Sequence, residues 1–531
     1  MTSLSEKARW IFGRLAFSFD RLNVDTITVF NKVARKESAI PHLFGVLMVY
    51  MAIAFVPSLI VCIYYHEDPR PWIFPILLSL LSGIMLLLRY RAPENTRPTE
   101  AMFVVSTCWL MLMVIGAIPY VMYGMSIVDA LFETMSGFTT TGATIMGTPA
   151  GYTPSIASIE SWPKSILFWR SFTNWLGGAG IVMVFVTILP MLGVGGRNLF
   201  KNEFPGLDVQ NFSMRIQEEA RKFHYIYILL SIIIVLLLLF TGVDLFESLC
   251  VMFSALATGG FSTHTESIAF YSGEVQWIVT FAMFVGGVNF YLHYQAIVIK
   301  NPGVYLKSSE FRLYTLLAVG STLVIAVMKW GDPLFTTIES ALRISSFQVV
   351  NVLTCTGFAT ADYVTWEKSI VFLLLALMVI GGCTGSTAGG IKTARFYLSK
   401  EFISSALHKT VHPRSIFTIK MDGRPLSQEA LSSVVAMVMC YFATALAAVV
   451  ALMLLGVDPT TSMSAAVATL SNAGPGIGVL GPYGTYGVLP EMAKIVLIFT
   501  MWAGRLEFIT VLVLFTPVFW KELLRYRERY V

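Results

Sequence analysis

Four short stretches of this sequence combine Gly with hydroxylated or small residues, the composition of a main-chain binding site. The candidate ligand-binding residues are Thr140, Thr141, Gly142, Ala257, Thr258, Gly259, Cys355, Thr356, Gly357, Asn472, Ala473 and Gly474. Gly tolerates positive φ angles, so a Gly-rich strand can turn successive carbonyl groups to one side. Carbonyl oxygens arranged in this way can replace the hydration shell of a cation. The chemistry that these residues favour is therefore cation coordination.

An Asp precedes each stretch and predicts a short helix ahead of each terminal Gly. These residues are Asp129, Asp244, Asp332 and Asp458, and Asp is a preferred N-cap residue. Each helix would direct the negative end of its dipole toward the Gly stretch, which also favours a cation. One copy alone could be an ordinary external loop, but four copies at matched positions favour re-entrant pore loops. The third copy carries an insertion that the sequence does not explain.

The composition excludes a set of soluble domains and indicates a membrane protein. The 531 residues are 56% hydrophobic and only 13% charged, with a mean hydropathy of +0.70. A helix that crosses the membrane needs about 20 apolar residues, and we predict ten such spans: 42–65, 71–88, 102–122, 165–192, 223–242, 277–299, 313–328, 370–392, 431–455 and 493–519. We therefore expect an all-α polytopic membrane protein. It would have four pseudo-symmetric helix–pore-loop–helix repeats around one pore and two extra N-terminal transmembrane helices.

The distribution of Lys and Arg predicts the orientation. The predicted inner segments contain 29 of these residues, whereas the predicted outer loops contain four, at Arg70, Lys164, Lys368 and Lys494. Positive residues accumulate in cytoplasmic loops, so both termini are expected in the cytoplasm. The leader, residues 1–40, is either an amphipathic surface segment or a disordered basic tail. We assign 41–98 to the extra pair, and 99–200, 201–305, 306–410 and 411–531 to the four repeats.

A second Gly-rich stretch, within the eighth predicted span, cannot remain a regular helix, since each Gly costs up to about 1 kcal/mol in a helix interior. Its candidate gate residues are Gly381, Gly382, Gly385, Ser386, Thr387, Gly389, Gly390 and Lys392. Unwound backbone at mid-membrane must lie within protein or beside water. Close helix packing through small residues is the alternative, and we favour that reading for the isolated pairs 177–178, 286–287 and 503–504.

Arg505 lies half-way along the last apolar span, where an unpaired cation is costly. Two readings remain open: an ion pair with Glu507 or another acid, or an electrostatic barrier that faces the conduction path. Asn289 and His293 share a helix face and could coordinate a ligand, but we favour an interhelical hydrogen bond.

At these residues the chain resembles the Trk/Ktr/HKT superfamily of potassium transporters, and within it the TrkH branch. The resemblance covers about residues 40–531. It rests on the four Gly stretches and on WRSFTNWLGGAG (169–180), LPMLGVGG (189–196), VNFYLHY (288–294), GGCTGSTAGGIK (381–392) and GRLEFITVLVLFTPVFW (504–520). The branch is typical of the bacterial inner membrane, and its two N-terminal spans are absent from the Ktr branch.

The resemblance implies a potassium pathway whose selectivity filter uses main-chain carbonyl groups. The gate would be 381–392, and Arg505 would be the pore arginine. Sodium-passing relatives have Ser in place of the first filter Gly, whereas this chain has Gly142. A homodimer with one pore per subunit would sit on a TrkA-like cytoplasmic ring that responds to NAD(H), ATP or ADP, so this chain itself would bind no cofactor. The 195–218 and 394–426 loops would offer this regulator a basic surface.

Two other classes of protein are alternatives to a potassium pathway. A proton- or sodium-coupled transporter with inverted repeats predicts buried carboxylates, and only Glu507 is expected to lie deep. Coupled symport and channel-like flow nevertheless both remain open. An enzyme is not expected, because the sequence has no Ser/His/Asp set, no HExxH motif and no metal-spaced Cys/His cluster. No nucleic-acid partner is expected.

Overall fold

The computed structural model describes residues 36–92, 98–147, 158–188, 212–413 and 419–524. Within these ranges the regular secondary structure is helical except for four two-residue strands. Strand β1 (Lys36–Glu37) pairs in parallel with β2 (Tyr90–Arg91), and β3 (Lys420–Met421) pairs antiparallel with β4 (Arg424–Pro425). The expected leader before residue 36, most of the 195–218 loop, the 189–196 motif and the tail beyond 524 lie outside the described residues.

Two long apolar helices precede the rest of the fold. They are α1 (Ala39–Tyr64) and α2 (Arg70–Arg89). Gly45 and Gly83 let their backbones approach, because a Cβ atom on Gly83 would lie 2.9 Å from the Gly45 carbonyl oxygen. The pair is anchored by Glu67, whose carboxylate accepts the N–H groups of Lys164 and Ser165 at 2.6 and 3.1 Å. Glu67 therefore caps the helix that begins at Lys164.

The remaining helices form four successive groups, each with a long helix, a short helix and a following helix. The first group is α3 (Pro98–Gly116), α4 (Ile118–Met122), α5 (Ile127–Phe138) and α6 (Lys164–Ile188). The second is α7 (Phe212–Phe240), α8 (Leu245–Leu256), α9 (Gly273–Gly286), α10 (Phe290–Ile297) and α11 (Val304–Lys307).

The third group is α12 (Ser309–Met328), α13 (Ile338–Leu353), α14 (Lys368–Ile380) and α15 (Thr393–Val411). The fourth is α16 (Gln428–Leu454), α17 (Pro459–Leu470), α18 (Glu491–Arg505), α19 (Ile509–Leu512) and α20 (Pro517–Leu524). Single turns of 3-10 helix follow the short helices or lie between α19 and α20, at Ile159–Ser161, Ser267–Phe270, Tyr363–Thr365, Gly478–Leu480, Tyr486–Val488 and Val513–Phe515.

Six helices of the described chain are long and apolar enough to cross a membrane, and a seventh span is possible if α9 and α10 are counted together. The expected all-α membrane fold is thus confirmed, but three of the ten predicted spans are interrupted. Helix α14 ends at Ile380, as the Gly-rich stretch predicts, whereas α9 and α18 end at Gly286 and Arg505, where a continuous span was expected.

The starts of the short helices correct two of the four predicted N-caps. Asp244 and Asp458 do cap α8 and α17. In α5 the cap is Ser126, whose Oγ accepts the Asp129 N–H at 3.2 Å. This frees the Asp129 carboxylate to bind Lys494 Nζ at 2.6 Å.

The third short helix is capped by Thr337, five residues after the expected Asp332. Thr337 and Ser340 form a capping box, while Asp332 forms an ion pair with Lys329 instead. Helix α13 has 16 residues, compared with 12 in each of α5, α8 and α17. The insertion in the third copy therefore consists of a later start and a longer helix.

Candidate functional site

The four short helices end in the same local geometry. One residue in each adopts a left-handed conformation: Thr140 (φ 52°), Thr258 (52°), Cys355 (55°) and Asn472 (54°). The next N–H then donates to the carbonyl group five residues earlier at 2.8 Å in every copy, from Thr141 to Ser136, Gly259 to Ser254, Thr356 to Asn351 and Ala473 to Ala468. This bond satisfies carbonyl groups that a helix end would otherwise leave free.

The shared geometry fixes the register of the four stretches, here called Gly segments 1 to 4: residues 139–142, 257–260, 354–357 and 471–474. The last residue of each has a positive φ: Gly142 (76°), Gly260 (73°), Gly357 (98°) and Gly474 (78°). Gly259, predicted as the terminal Gly of its stretch, is therefore equivalent to Thr141. The adjacent Gly259 and Gly260 cannot be told apart by composition, and only the backbone angles separate them.

The Gly segments pack against one another in a closed, directional ring. A Cβ atom on Gly357 would lie 2.7 Å from Ala473 O, and one on Gly474 would lie 2.6 Å from Thr141 O. Cβ atoms on Gly142 and Gly260 would lie still closer to Gly259 O and Thr356 O. Each segment thus abuts the carbonyl of the next one, and the fourth abuts the first, so no side chain fits at these four positions.

All twelve predicted binding residues are brought together at this ring, with Gly142 and Gly357 partly accessible and the others buried. The four helices end here, so the negative ends of four dipoles converge on the ring. An open cleft adjoins one side, and the four left-handed glycines all line it. The arrangement offers main-chain oxygen and negative potential, both of which attract cations.

The Asn351 side chain binds the backbone at the end of Gly segment 3, a role that the sequence did not predict. Its Oδ1 accepts the N–H groups of Gly357 and Phe358 at 2.9 and 2.7 Å, and its Nδ2 donates to Phe358 O at 2.7 Å. All three side-chain bonds therefore go to the backbone that leaves the ring.

A buried ion pair links the chain that follows segments 1 and 2. Arg170 Nε lies 2.7 Å from Glu133 Oε1, and the two side chains are 1% and 0% exposed. Arg170 also donates to Ser262 O at 2.9 Å and lies over the Phe261 ring, 4.2 Å from its centroid. Glu133 accepts the Ile145 N–H at 2.9 Å. Arg170 is thus a structural cation that joins the chain after Gly segment 1 to the chain after Gly segment 2.

The predicted gate residues lie on the side of the ring away from the cleft, in a segment without regular structure, here called the 381–392 segment. Four of its residues have positive φ: Gly381 (78°), Gly385 (71°), Gly390 (79°) and Lys392 (83°). Thr387 Oγ1 donates to Leu256 O at 2.9 Å, and the Gly390 N–H donates to Ser471 O at 2.9 Å. The segment therefore binds the ends of α8 and α17 directly.

Gly389 explains why small residues are needed here, because a Cβ atom on it would overlap Ser471 O. The segment also folds on itself. The Thr393 N–H bonds to Gly382 O at 2.8 Å, Ser386 Oγ to Cys383 O, and Lys392 Nζ to Ala388 O.

Glu310, which the sequence analysis did not select, anchors both ends of the 381–392 segment. Its Oε1 accepts the N–H of Thr384 at 2.6 Å and that of Ala394 at 3.1 Å, and the residue is 5% exposed. The only signal in the sequence was a lone Glu three residues before the predicted span 313–328.

Arg505 is 5% exposed and bridges two elements near the ring. Its Nη1 donates to Thr387 O at 3.0 Å and its Nη2 to Gly177 O at 3.1 Å. Glu507, the acid considered as its partner, forms an ion pair with Arg395. Arg505 thus connects the 381–392 segment to α6.

His293 and Asn289 take part in hydrogen bonds at the junction of α9 and α10. His293 Nε2 bonds to Val285 O at 3.0 Å, and Asn289 Oδ1 accepts the Tyr291 N–H at 2.9 Å. In the described parts of the chain, no group of three or more His, Cys, Asp or Glu residues could hold a metal ion.

The fold and the ring define a multi-pass membrane protein whose distinctive site is built from the four Gly segments. The TrkH family, described as a cation transport protein, matches residues 73–522. The chain belongs to this family, which confirms the resemblance, and it is a membrane transport protein rather than an enzyme.

Individual relatives agree over most of the chain. The Trk system potassium uptake protein TrkH of Escherichia coli K12 is 33% identical over 491 residues, covering 91% of this chain and 99% of that protein. The Trk system potassium uptake protein TrkG of the same organism is 29% identical over 491 residues, with 91% and 98% covered. The crystal structure of the potassium transporter TrkH from Vibrio parahaemolyticus superposes with a TM-score of 0.80 at 32% identity, covering 91% of this chain and 99% of that one.

Proposed function

We propose that this chain takes up potassium across the bacterial inner membrane through the ring of Gly segments, which acts as a selectivity filter. The single observation that supports this most is the closed ring itself, in which each left-handed Gly abuts the carbonyl of the next segment. Main-chain oxygens held at fixed spacing can replace the water around K⁺, whereas a smaller ion is left under-coordinated.

The filter residues would be those that the sequence selected, with Gly260 added. The carbonyl groups of Thr141, Gly259, Thr356 and Ala473 occupy equivalent positions and would form one coordinating layer. The cleft beside the four glycines would be the external entrance, with both chain termini in the cytoplasm.

The 381–392 segment would be the gate, and Arg505 the pore arginine that holds it. Several hydrogen bonds support this assignment, because the segment binds the backbone at the ends of α8 and α17 and accepts a bond from Arg505. A charged guanidinium beneath the filter would also oppose cation flow electrostatically. Movement of the segment would open the path.

A cytoplasmic TrkA-like ring that binds NAD(H), ATP or ADP would control this gate, and two copies of the chain would form a homodimer with one pore each. The family resemblance supports both statements. Basic residues of α15 and the loop after it, such as Lys400 and Lys409, would face the regulator.

The test is a flux measurement on purified protein in liposomes. Liposomes loaded with K⁺ and diluted into K⁺-free medium develop an inside-negative potential, so ⁸⁶Rb⁺ should accumulate, and added external K⁺ should compete with it much better than Na⁺ or Li⁺. Liposomes that contain Gly320→Ala serve as a matched control, since a Cβ atom at Gly320 meets no atom within 4 Å. Equal competition by Na⁺ would contradict a potassium filter.

A further inference from the structure

Helix α9 ends at Gly286 and α10 begins at Phe290, and the two axes are bent by 102°. In an α-helix each carbonyl accepts the N–H four residues later. An uninterrupted helix would therefore pair the carbonyl groups of Val285, Gly286 and Gly287 with the N–H groups of Asn289, Phe290 and Tyr291.

The 381–392 segment binds three of these six backbone groups: the carbonyl groups of Gly286 and Gly287 and the N–H of Phe290. Gly286 O accepts the Thr387 N–H at 3.2 Å, and it shares the single hydrogen of Thr387 Oγ1, 3.0 Å away, with Leu256 O. Gly287 O accepts the Cys383 N–H at 2.8 Å. In return, the Phe290 N–H donates to Gly385 O at 3.1 Å. Two unwound segments thus satisfy each other's backbone groups.

Two side chains bind the Tyr291 N–H and the Val285 carbonyl group, which a continuous helix would pair with other backbone groups. Asn289 Oδ1 accepts the Tyr291 N–H at 2.9 Å, as an N-cap of α10. His293 Nε2 donates to Val285 O at 3.0 Å, and its Nδ1 bonds to the Tyr305 hydroxyl at 2.7 Å. Carbonyl groups only accept, so Nε2 must carry the hydrogen. Asn289 and His293 therefore hold the bend from its two ends.

The Gly pair does not by itself cause the break. Helix α6 carries Gly177 and Gly178 yet runs without interruption from Lys164 to Ile188. Gly177 packs against Phe138 O, as Gly286 packs against Leu256 O, where a Cβ atom would lie 2.6 Å away. Equivalent glycines thus permit a continuous helix in one group and a bend in another. The difference lies in the partners of the backbone.

We propose that the α9–α10 junction and the 381–392 segment form one two-state element, in which Asn289 and His293 are positioning residues for the closed state. In the second state the helix is continuous through 273–297, its own ladder occupies Gly286 O and Gly287 O, and the 381–392 segment is released. This inference rests on the proposed function, because release is equated with opening.

Gly287 and Asn289 differ in how far they depart from helical geometry. Gly287 already has helical angles (φ −77°, ψ −7°), and Asn289 departs in ψ alone (φ −58°, ψ 119°). Helices α9 and α10 together are also apolar and long enough for one membrane span. Because the helix ladder would replace the bonds that Gly286 O and Gly287 O make to the 381–392 segment, small terms such as an N-cap can shift the population.

The states can be distinguished by pulsed EPR distances between spin labels on the full-length protein. Glu274→Cys and Ile297→Cys place labels at exposed positions on α9 and α10. Cys440→Ser removes the cysteine that is not buried. A continuous helix would separate these two Cα atoms by roughly 35 Å at 1.5 Å per residue, whereas the bend shortens the distance.

Asn289→Ala should raise the long-distance population by about fivefold, because an N-cap contributes about 1 kcal/mol to the helix that it starts. Asn289→Asp keeps an acceptor for the Tyr291 N–H and should retain the short distance. Rb⁺ flux without a regulator should rise in the first variant and not in the second. Thr387→Val, which removes the hydroxyl bond to Gly286 O, should act in the same direction as Asn289→Ala.

Identical distance distributions in Asn289→Ala, Asn289→Asp and Thr387→Val would overturn the inference. The proposed function fails separately. If wild-type liposomes carry no Rb⁺ while the distances still respond to Asn289→Ala, the exchange of bonds is supported and the potassium pathway is not. Longer distances without higher flux, in a protein that does carry Rb⁺, would overturn the link between helix continuity and opening.

Discussion

The Asn472 side-chain amide donates a hydrogen bond to Thr141 Oγ1 at 3.0 Å, although the two residues lie 331 positions apart in the chain. The same amide donates to Met501 O at 3.0 Å. Asn472 thus ties Gly segment 4 to Gly segment 1 and to α18, at the place where the ring of segments closes.

Asn472→Ala should loosen this closure without unfolding the protein. Thr141 keeps its bond to Thr139 Oγ1 at 2.7 Å, so the net loss is about 1 kcal/mol per removed bond. We expect a lower K⁺ over Na⁺ preference in the liposome competition assay. Asn301→Ala, at an exposed position, is the matched control. Unchanged ion competition would show that the first and fourth segments hold their spacing without the amide.

Gly142→Ser should have a larger effect on selectivity, because a Cβ atom there would overlap the carbonyl of Gly259 and lie 3.3 Å from Thr356 O. The positive φ of 76° adds strain for any side chain. The displaced carbonyl groups should fit K⁺ less well, and Na⁺ permeation should rise. Reversal potentials or Na⁺ competition measure the change. Ratios equal to those of wild type and of Gly320→Ala would place Gly142 outside the ion path.

Arg505→Ala should increase Rb⁺ flux in the absence of a regulator. The substitution removes the bonds to Thr387 O and Gly177 O, and hydrogen bonds from charged groups are worth about 1.5–3 kcal/mol each. Arg505→Lys keeps the charge but cannot reproduce the planar fork. If the Lys variant has the low flux of wild type, the positive charge is the dominant factor. If the Lys variant behaves like the Ala variant, the two hydrogen bonds of the guanidinium group are the dominant factor. Low flux in both variants would contradict a closing role.

Glu310→Leu should release both ends of the 381–392 segment, because the N–H groups of Thr384 and Ala394 lose their acceptor. Each buried donor left unsatisfied costs about 1–3 kcal/mol. Glu310→Gln retains a side-chain oxygen and should behave nearly as wild type. Proteolysis or hydrogen exchange of 381–394 reports the release, and Rb⁺ flux reports its consequence. Equal protection in the Leu and Gln variants would rule out the anchor.

The Arg170–Glu133 pair should be important for stability. Removal of one partner of a buried ion pair costs about 3–5 kcal/mol, so Arg170→Met and Glu133→Leu should each lower the thermal unfolding midpoint in detergent. The double variant leaves no uncompensated charge and should recover part of the loss. Additive losses in the double variant would mean that the two side chains act independently.

The four Gly segments, the membrane class and the broken eighth span could be predicted from the sequence, because composition and repetition alone carry those signals. The register could not. Gly259 and Gly260 are the same residue type and differ only in their backbone angles. The N-cap of α5 was ambiguous in a similar way, because Ser126 takes the capping position three residues before the predicted Asp129. In each case local propensity allows either residue, and tertiary packing determines which one takes the position.

Asn351 and Glu310 were missed for a different reason. Their partners, the Gly357 N–H and the N–H groups at the ends of 381–392, are backbone donors that become orphaned only after the chain unwinds. No pattern of residue types in the sequence predicts hydrogen bonds of this kind. The bend at Gly286 was missed likewise, since the same glycine pair stays helical in α6.

The directional contact between successive Gly segments has a consequence for how this transporter can evolve. In a homotetrameric channel every substitution changes the coordination site at four positions at once, so one side of the site cannot be altered alone. Here one polypeptide supplies four chemically different neighbours, and a single codon alters one quarter of the perimeter. Substitutions in the proposed filter can therefore change ion preference in small steps, because three of the four segments keep their geometry.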